Sequence, residues 1–345
     1  MPAQRQKLKS LKYASSKIHL RRGVKFIVFL LVLTAGINFA IRFSQFRGFF
    51  QKTSDFKQTN FSFSKEIDYS YRVNFLILSD RDQRQEFGLL SYQEKEKDLD
   101  FFYINKKIYY NLPRVGWSNF GNLYEKEGLD GLAQGVEGSL ALPLDGYLEV
   151  SEENFDLSES SLSKYVAQGG FIGGLSKIVD AKGIADHANS SLSWKELLSI
   201  YFKLAKVNND NFSYNKLSDF TMDEIRDGTK YLSLDTKRLD NFIVENLSDP
   251  ALTEEGASVE VQNGTNASGL ATLASRFITN LGGRVVLAGN ADEKIQETLI
   301  YKYSSKPKLI SRLKGILPYK LEDKVGENAG SDFLIILGKD FSSSL

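Results

Sequence analysis

The sequence predicts an α/β protein: an N-terminal transmembrane helix, then a mixed-sheet α/β domain, then a smaller α/β domain. Three observations carry this reading. A basic N-terminal cluster runs into an uncharged stretch from Phe26 to Ile41. From Tyr71 onward, strand-like runs alternate with segments whose apolar residues recur at helical spacing. Near the C-terminus, Asn263-Gly264 and Gly282-Gly283 punctuate a strand–turn–helix–strand unit.

Residues 1 to 50 hold ten Lys or Arg and no Asp or Glu, and eight of the ten precede Phe26. With Val24 and the snorkelling stem of Lys25, the uncharged run approaches the ~20 residues that a bilayer-spanning helix needs. The flanking charge predicts a cytoplasmic N-terminus, a single pass through the cell membrane and an extracytoplasmic remainder. The competing reading is a cleaved secretory signal. It is disfavoured because no small-x-small cleavage site follows the apolar run. No Cys is present for a lipid anchor.

The whole chain carries 44 basic and 43 acidic residues, so residues 51–345 hold 34 against 43, a net charge of −9. A mildly acidic ectodomain argues against a nucleic-acid partner, which requires a basic face. The absence of Cys excludes disulfides, thiolate metal sites and Cys nucleophiles. His19 and His187 are isolated in sequence, which argues against His-based acid–base chemistry.

Along the ectodomain, residues 44–68 read as a juxtamembrane linker. Tyr71 to Ser79 is a strand, and Phe87 to Tyr92, Asp100 to Ile104 and Lys107 to Leu112 continue a sheet, with Asn105-Lys106 as a hairpin corner. A helix follows on Leu129, Leu132, Ala133, Val136 and Leu140. Gly131, Gly135 and Gly138 weaken it, so it needs tertiary packing to form. Pro143 stops it, and Asp145 to Val150 is a strand. Ser193-Trp-Lys-Glu196 is a capping box, starting a helix with Leu197, Leu198, Tyr201, Phe202 and Leu204 inward. The aromatics Phe101-Phe102-Tyr103 and Tyr109-Tyr110 read as sheet core and its solvated edge, with a lipid or sugar platform as the alternative. Asp210, Glu254 and Glu255 read as solvated loop charges.

In the last unit, Val259 and Val261 lie on a strand. The continuous run Phe333 to Leu337 suits a strand buried on both faces. Ser268 is placed to cap a helix carrying Leu270, Leu273, Ala274, Phe277, Ile278 and Leu281 on one face. Gly282-Gly283 ends it with a left-handed residue. Arg284 to Ala288 and Thr298 to Tyr303 are strands, and Lys308 to Ile316 is a helix with Pro307 at its first turn. The turn from Asn263 to Gly269 has two readings. It is a turn with an N-cap, or a cradle in which Asn263, Gly264, Thr265 and Gly269 hold an anionic glycan or phosphate. It matches neither a Walker loop nor a dinucleotide fingerprint.

This last unit closely resembles the C-terminal domain carried by LytR–CpsA–Psr cell-envelope proteins. The preceding region, about residues 70 to 245, resembles that family's catalytic domain in order and spacing. Leu76-Ile-Leu-Ser-Asp80-Arg81 is similar to the family's acid-ended first strand. Leu112-Pro113-Arg114-Val115 is similar to its Pro-Arg-Asp motif, and Leu140-Ala-Leu-Pro-Leu-Asp145-Gly-Tyr147 to its Gly-Ile-Pro-Ile-Asp-x-Tyr entry. Leu192-Ser-Trp-Lys-Glu-Leu-Leu198 is similar to its late helix. The resemblance implies a phosphotransferase ancestry, in which glycopolymer moves from polyprenyl pyrophosphate to peptidoglycan. In such a site Asp80, Arg81, Arg84 and Arg114 would be catalytic, and Mg²⁺ would neutralise the leaving group. Here Val115 replaces the motif's Asp, and Glu86 to Ser91 supplies no Asp where the family has one. Val neither binds a metal nor accepts a proton.

The organisation expected is therefore a basic cytoplasmic tail at 1–23, a transmembrane helix at 24–43, a linker at 44–68, a degenerate catalytic-type domain at 69–247, a linker at 248–256 and the LytR-type domain at 257–341. The function expected is non-catalytic binding or organising of cell-wall polymer or envelope partners, with no cofactor and no metal site. The partners expected are the membrane, with peptidoglycan, a polyprenyl-linked glycan or envelope proteins. The alternative is an active transferase using Mg²⁺.

Overall fold

The computed structural model describes residue 63 and residues 67–81, 84–113, 115–150, 156–167, 188–204, 206–314, 316–317, 319–326 and 330–344. The expected tail and transmembrane helix lie outside the described residues. Among the described residues, no helix is long and apolar enough to cross a membrane.

The chain opens with an antiparallel meander of β1 (Val73–Arg81), β2 (Arg84–Gln93) and β3 (Asp98–Ile104). Gly88 in β2 leaves room for the Phe101 ring, which crosses it and stacks on Tyr214 at 5.6 Å. Asn105 then turns the chain, accepting the Ile108 N–H at its carbonyl and the Lys107 N–H at its side chain. The expected hairpin is not what this corner makes. β4 (Tyr109–Leu112) does not return along β3 but begins a second sheet, pairing with β5 (Gly116–Asn119). Sequence alternation reports a turn but not which sheet receives the next strand.

Asn119 caps α1 (Phe120–Leu140) by accepting the Asn122 N–H at 2.8 Å. The helix kinks at Gly128, which has φ 65°. Gly135 and Gly138 face the second sheet: a Cβ on Gly138 would sit 2.8 Å from Leu112 Cδ1, and one on Gly135 would collide with the Tyr110 hydroxyl. Small residues thus let helix and strand approach closely, which is the tertiary support the sequence required.

β6 (Gly146–Val150) runs parallel to β1. α2 (Glu159–Ala167), β7 (Ala188–Ser190) and α3 (Trp194–Leu204) follow. The capping box forms: Ser193 N–H donates to Glu196 at 2.6 Å, and Glu196 N–H donates to Ser193 at 3.4 Å. Leu197 and Leu204 pack inward, but Phe202, expected inside, is 51 % exposed. It lies on the solvent side of a helix whose apolar run is wider than its buried face.

Residues 205–250, unassigned from sequence, hold β8 (Phe212–Lys216), β9 (Thr221–Arg226), β10 (Thr229–Leu234) and α4 (Thr236–Asn246). β8 joins β3, so the first sheet runs β7-β6-β1-β2-β3-β8 and the second runs β5-β4-β10-β9. α1 and α4 contribute Leu132, Val136, Leu239 and Ile243 to the core shared with β1–β4.

The stretch 248–256, expected as a linker, contains α5 (Pro250–Glu255), with Asp249 capping it and Pro250 in its first turn. The last domain then follows: β11 (Ser258–Asn263), α6 (Leu270–Leu281), β12 (Arg284–Asn290), β13 (Leu299–Lys302), α7 (Lys308–Lys314), β14 (Lys320–Asp323), β15 (Phe333–Leu337) and α8 (Lys339–Ser344). Its sheet runs β12-β11-β15-β13-β14. Gly282 closes α6 in the left-handed conformation at φ 109°. Ser268 does not cap α6. Gly269, itself left-handed at φ 82°, stands between Ser268 and the first helical residue and takes the N-cap place without a side-chain bond. β15 is central but alternates buried and half-buried residues, so only one of its faces is fully covered. Glu255, read as a solvated charge, instead accepts the N–H groups of Lys308 and Leu309 at 2.7 and 2.8 Å and caps α7.

Candidate functional site

The backbone brings three of the sequence-derived site residues together. Asp80 and Arg81 end β1, and Arg84 opens β2. Asp80 pairs with Gln85, and Arg81 with Arg84, across the antiparallel ladder. Arg114 lies outside the described residues, as do the side chains of Asp80, Arg81 and Arg84.

The loop after β11 is described in full. Asn263 Oδ1 accepts the Thr265 N–H at 3.0 Å and its hydroxyl at 2.8 Å, and Asn263 Nδ2 donates to the Ala267 carbonyl. Thr265 Oγ1 accepts the Ala267 N–H. Gly264 N–H donates to the Leu337 carbonyl, and a Cβ there would lie 2.9 Å from that oxygen. The donors of residues 264, 265 and 267 are therefore engaged inside the protein. Gly269 faces the first domain, where a Cβ would touch Pro113 at 3.4 Å.

The densest charged cluster was not legible as a site. It lies where the two domains meet. Asp145, 1 % exposed between α1 and β6, receives both ends of the Arg312 guanidinium from α7, at 2.8 and 3.0 Å. The same carboxylate accepts the Asn74 N–H at 2.9 Å, and Arg312 also donates to the Arg72 carbonyl at 3.1 Å. Burial alone would push the Arg312 guanidinium down, but the charge and hydrogen bonds of Asp145 outweigh it and hold it up.

Arg72 extends this cluster. Its side chain bonds Asp100 at 2.9 Å and Asp98 at 2.7 Å, and its N–H donates to Asp249 at 2.6 Å. Asp249 simultaneously caps α5 through the N–H groups of Ala251 and Leu252. Burial pushes the Asp100 carboxyl up to about 7, against the pull of Arg72, and the neighbouring Asp98 adds to the rise.

A second lock lies along α6. Arg276 makes a two-point pair with Asp240 of α4 at 2.7 and 2.9 Å and donates to the carbonyls of Gly138 and Ser139. Asn280 donates to the carbonyl of Leu140 at 3.0 Å. The last domain thus supplies the cation and donors that the C-terminus of α1 lacks within its own helix. Ala141, Leu273 and Phe277 close the contact with apolar surface, and Tyr71 of the first domain sits in the core of the last.

Glu137 is buried beside this junction and accepts the Leu144 N–H at 3.3 Å. Burial pushes it up to about 8; the Leu144 bond and Arg312 pull it down, and Asp145 pushes it further up. One signal could have found these residues. Glu137 falls on the apolar stripe with Ala133, Val136 and Leu140, and Arg312 on the stripe with Leu309 and Leu313. A charge on a buried helical face needs a partner.

Residues 256–341 match the family described as LytR cell envelope-related transcriptional attenuator. No curated protein matches the chain. Among solved structures, Bacillus subtilis TagV is similar at 11 % identity and a TM-score of 0.40, covering 52 % of this chain and 98 % of that one. The LytR-CPS2A-psr protein TagT of B. subtilis with bound octaprenyl pyrophosphate is similar at 17 % identity and a TM-score of 0.35, covering 52 % and 95 %. A transcriptional regulator from Enterococcus faecalis is similar at 11 % identity and a TM-score of 0.38, covering 64 % and 92 %.

Two outcomes follow from the junction. Arg312→Met removes the guanidinium that neutralises the buried Asp145 carboxylate, so it lowers unfolding free energy by roughly 3–5 kcal/mol. The double variant with Asp145→Leu loses clearly less than the sum of the two single changes, as read by urea unfolding of all four proteins. The second outcome concerns pH. Glu137 and Asp100 have folded values, about 8 and about 7, above their unfolded ones, so the folded state holds protons that the unfolded state releases. Their contribution is full below about pH 4 and is lost as pH rises through those folded values. The urea midpoint therefore falls between pH 5.5 and pH 8.5, and Glu137→Gln makes that fall shallower.

Proposed function

We propose that this chain is a membrane-anchored, extracytoplasmic cell-envelope protein that binds or organises cell-wall polymer or an envelope partner and transfers nothing. The observation that carries the reading is the envelope-type C-terminal domain, residues 256–341, joined to the preceding α/β domain by one buried and one half-buried charge pair. Such a junction suits a body that presents fixed surfaces. The uncharged run from Phe26 to Ile41 behind its basic flank supports the anchor and the orientation.

The non-catalytic half of the reading is supported by residue chemistry. Val115 stands where a transferase motif has a carboxylate. Asp145, the carboxylate of the Leu140–Tyr147 match, is enclosed and held by Arg312. A carboxylate so fixed serves architecture and has no open side to a substrate or metal.

The test uses the full chain in detergent. It is expected to sediment with isolated peptidoglycan that carries its attached anionic polymer, and to release no product from a polyprenyl-pyrophosphate-linked glycan in Mg²⁺. Failure to sediment contradicts the binding reading. Mg²⁺-dependent transfer that disappears in Asp80→Ala and Arg114→Ala contradicts the non-catalytic one.

A further inference from the structure

The second sheet carries an aromatic surface that the junction does not use. Paired residues in a sheet share a face, and so do residues two apart on a strand. Trp117 pairs with Asn111, Tyr109 pairs with Ser233, and Tyr231 pairs with Glu224. Trp117, Tyr109, Tyr231, Glu224 and Arg226 therefore lie on one face. The opposite face presents Tyr110, Leu112 and Leu234 to the core.

The three rings are half-exposed and in mutual contact. Tyr109 stacks on Trp117 with centroids 5.4 Å apart, and Tyr231 meets Tyr109 edge-on at 4.8 Å. Arg226 lies over the Trp117 ring, its guanidinium carbon 3.7 Å from the centroid. Its Nε donates to Glu224 at 2.7 Å, and its side chain is 41 % exposed. That single bond fixes the plane of the guanidinium while its two Nη groups have no acceptor among the described residues.

We infer that this face of the second sheet, Tyr109, Trp117, Tyr231 and Arg226, binds an anionic glycan. The aromatic rings offer flat apolar surface to the C–H faces of sugar rings, and their hydroxyl and indole N–H groups offer polar edges. The Nη pair of Arg226 offers two parallel donors to a phosphate or carboxylate on the same chain. An Arg already oriented by Glu224 and Trp117 loses little freedom on binding. A neutral apolar partner would cover the two Nη groups without giving them an acceptor, which disfavours it. The inference rests on the envelope-binding reading above and names the ligand class and the surface.

The probes are soluble: a phosphodiester-linked N-acetylhexosamine polymer, a uronic-acid polymer and a neutral glucan of similar length. Binding to the full chain in detergent is followed by calorimetry. Wild type is expected to bind one or both charged polymers about tenfold or more tightly than the neutral one. The pair of charged polymers tells phosphate from carboxylate. Arg226→Gln, at an exposed position, is expected to erase the preference for charge. Trp117→Ala is expected to weaken all sugar binding, with a circular dichroism spectrum and melting curve confirming its fold. Wild-type binding unchanged in both variants overturns the inference, as does no charged preference in wild type. If the chain still sediments with walls in that case, the envelope-binding reading stands and only this surface is wrong. If it binds neither walls nor soluble glycan, both fall.

Discussion

The arrangement depends on one interaction, the buried pair between Arg312 and Asp145. Removing two charges from water is costly, and their attraction offsets that cost only when geometry is close to ideal and the remaining hydrogen-bonding positions are filled. Here the guanidinium meets the carboxylate at two points, and the Arg72 carbonyl and the Asn74 N–H fill further positions, leaving only the Arg312 Nε of that guanidinium without an acceptor among the described residues. Those two backbone groups belong to the entry of β1, the central strand of the first sheet. The pair therefore fixes α7 of the last domain against the strand from which the first domain is built. A purely apolar contact would tolerate sliding; a two-point ion pair in a closed space does not.

The other contacts at the junction follow the same logic. Asp249 at the start of α5 accepts the Arg72 N–H, while the Arg72 side chain is held within the first domain by Asp98 and Asp100 of β3. Arg276 and Asn280 complete the carbonyl end of α1. Each domain thus leaves polar groups that only the other satisfies, and separating them would expose charges already paired. The same enclosure keeps Glu137 and Asp100 protonated further up the pH scale than an open carboxylate. The functional consequence is positional. The hairpin end with Asp80 and Arg84, the aromatic face around Trp117 and the envelope-type domain keep constant relations to one another.

What the sequence disclosed followed the range of the interactions involved. Ser193 with Glu196, Gly282, and the stripe from Leu270 to Leu281 act within one turn or one helix, and each was legible. Asn105 was legible as a turn, but the sheet that β4 joins depends on β10, more than a hundred residues later. Asp227-Gly228, both with positive φ between β9 and β10, is a hairpin signal that was present and unread. Ser268 was misplaced as a cap by one residue, because Gly269 takes the left-handed position. Asp145 and Arg312 are 167 residues apart, and no local pattern joins them. Only their neighbourhoods, an acid after a Pro and a base on an apolar stripe, hinted at burial. The site residues divided likewise: Asp80, Arg81 and Arg84 share a hairpin end because neighbouring strands pair, while Arg114 lies outside the described residues.

The two α/β domains behave as one body because their charges complete each other across the junction. Differential scanning calorimetry of the full chain in detergent tests it most directly. One transition, with calorimetric and van't Hoff enthalpies equal, is the expected result, and Arg312→Met should divide it into two. Two independent transitions in the unaltered protein would contradict the account, since the domains would then be merely tethered.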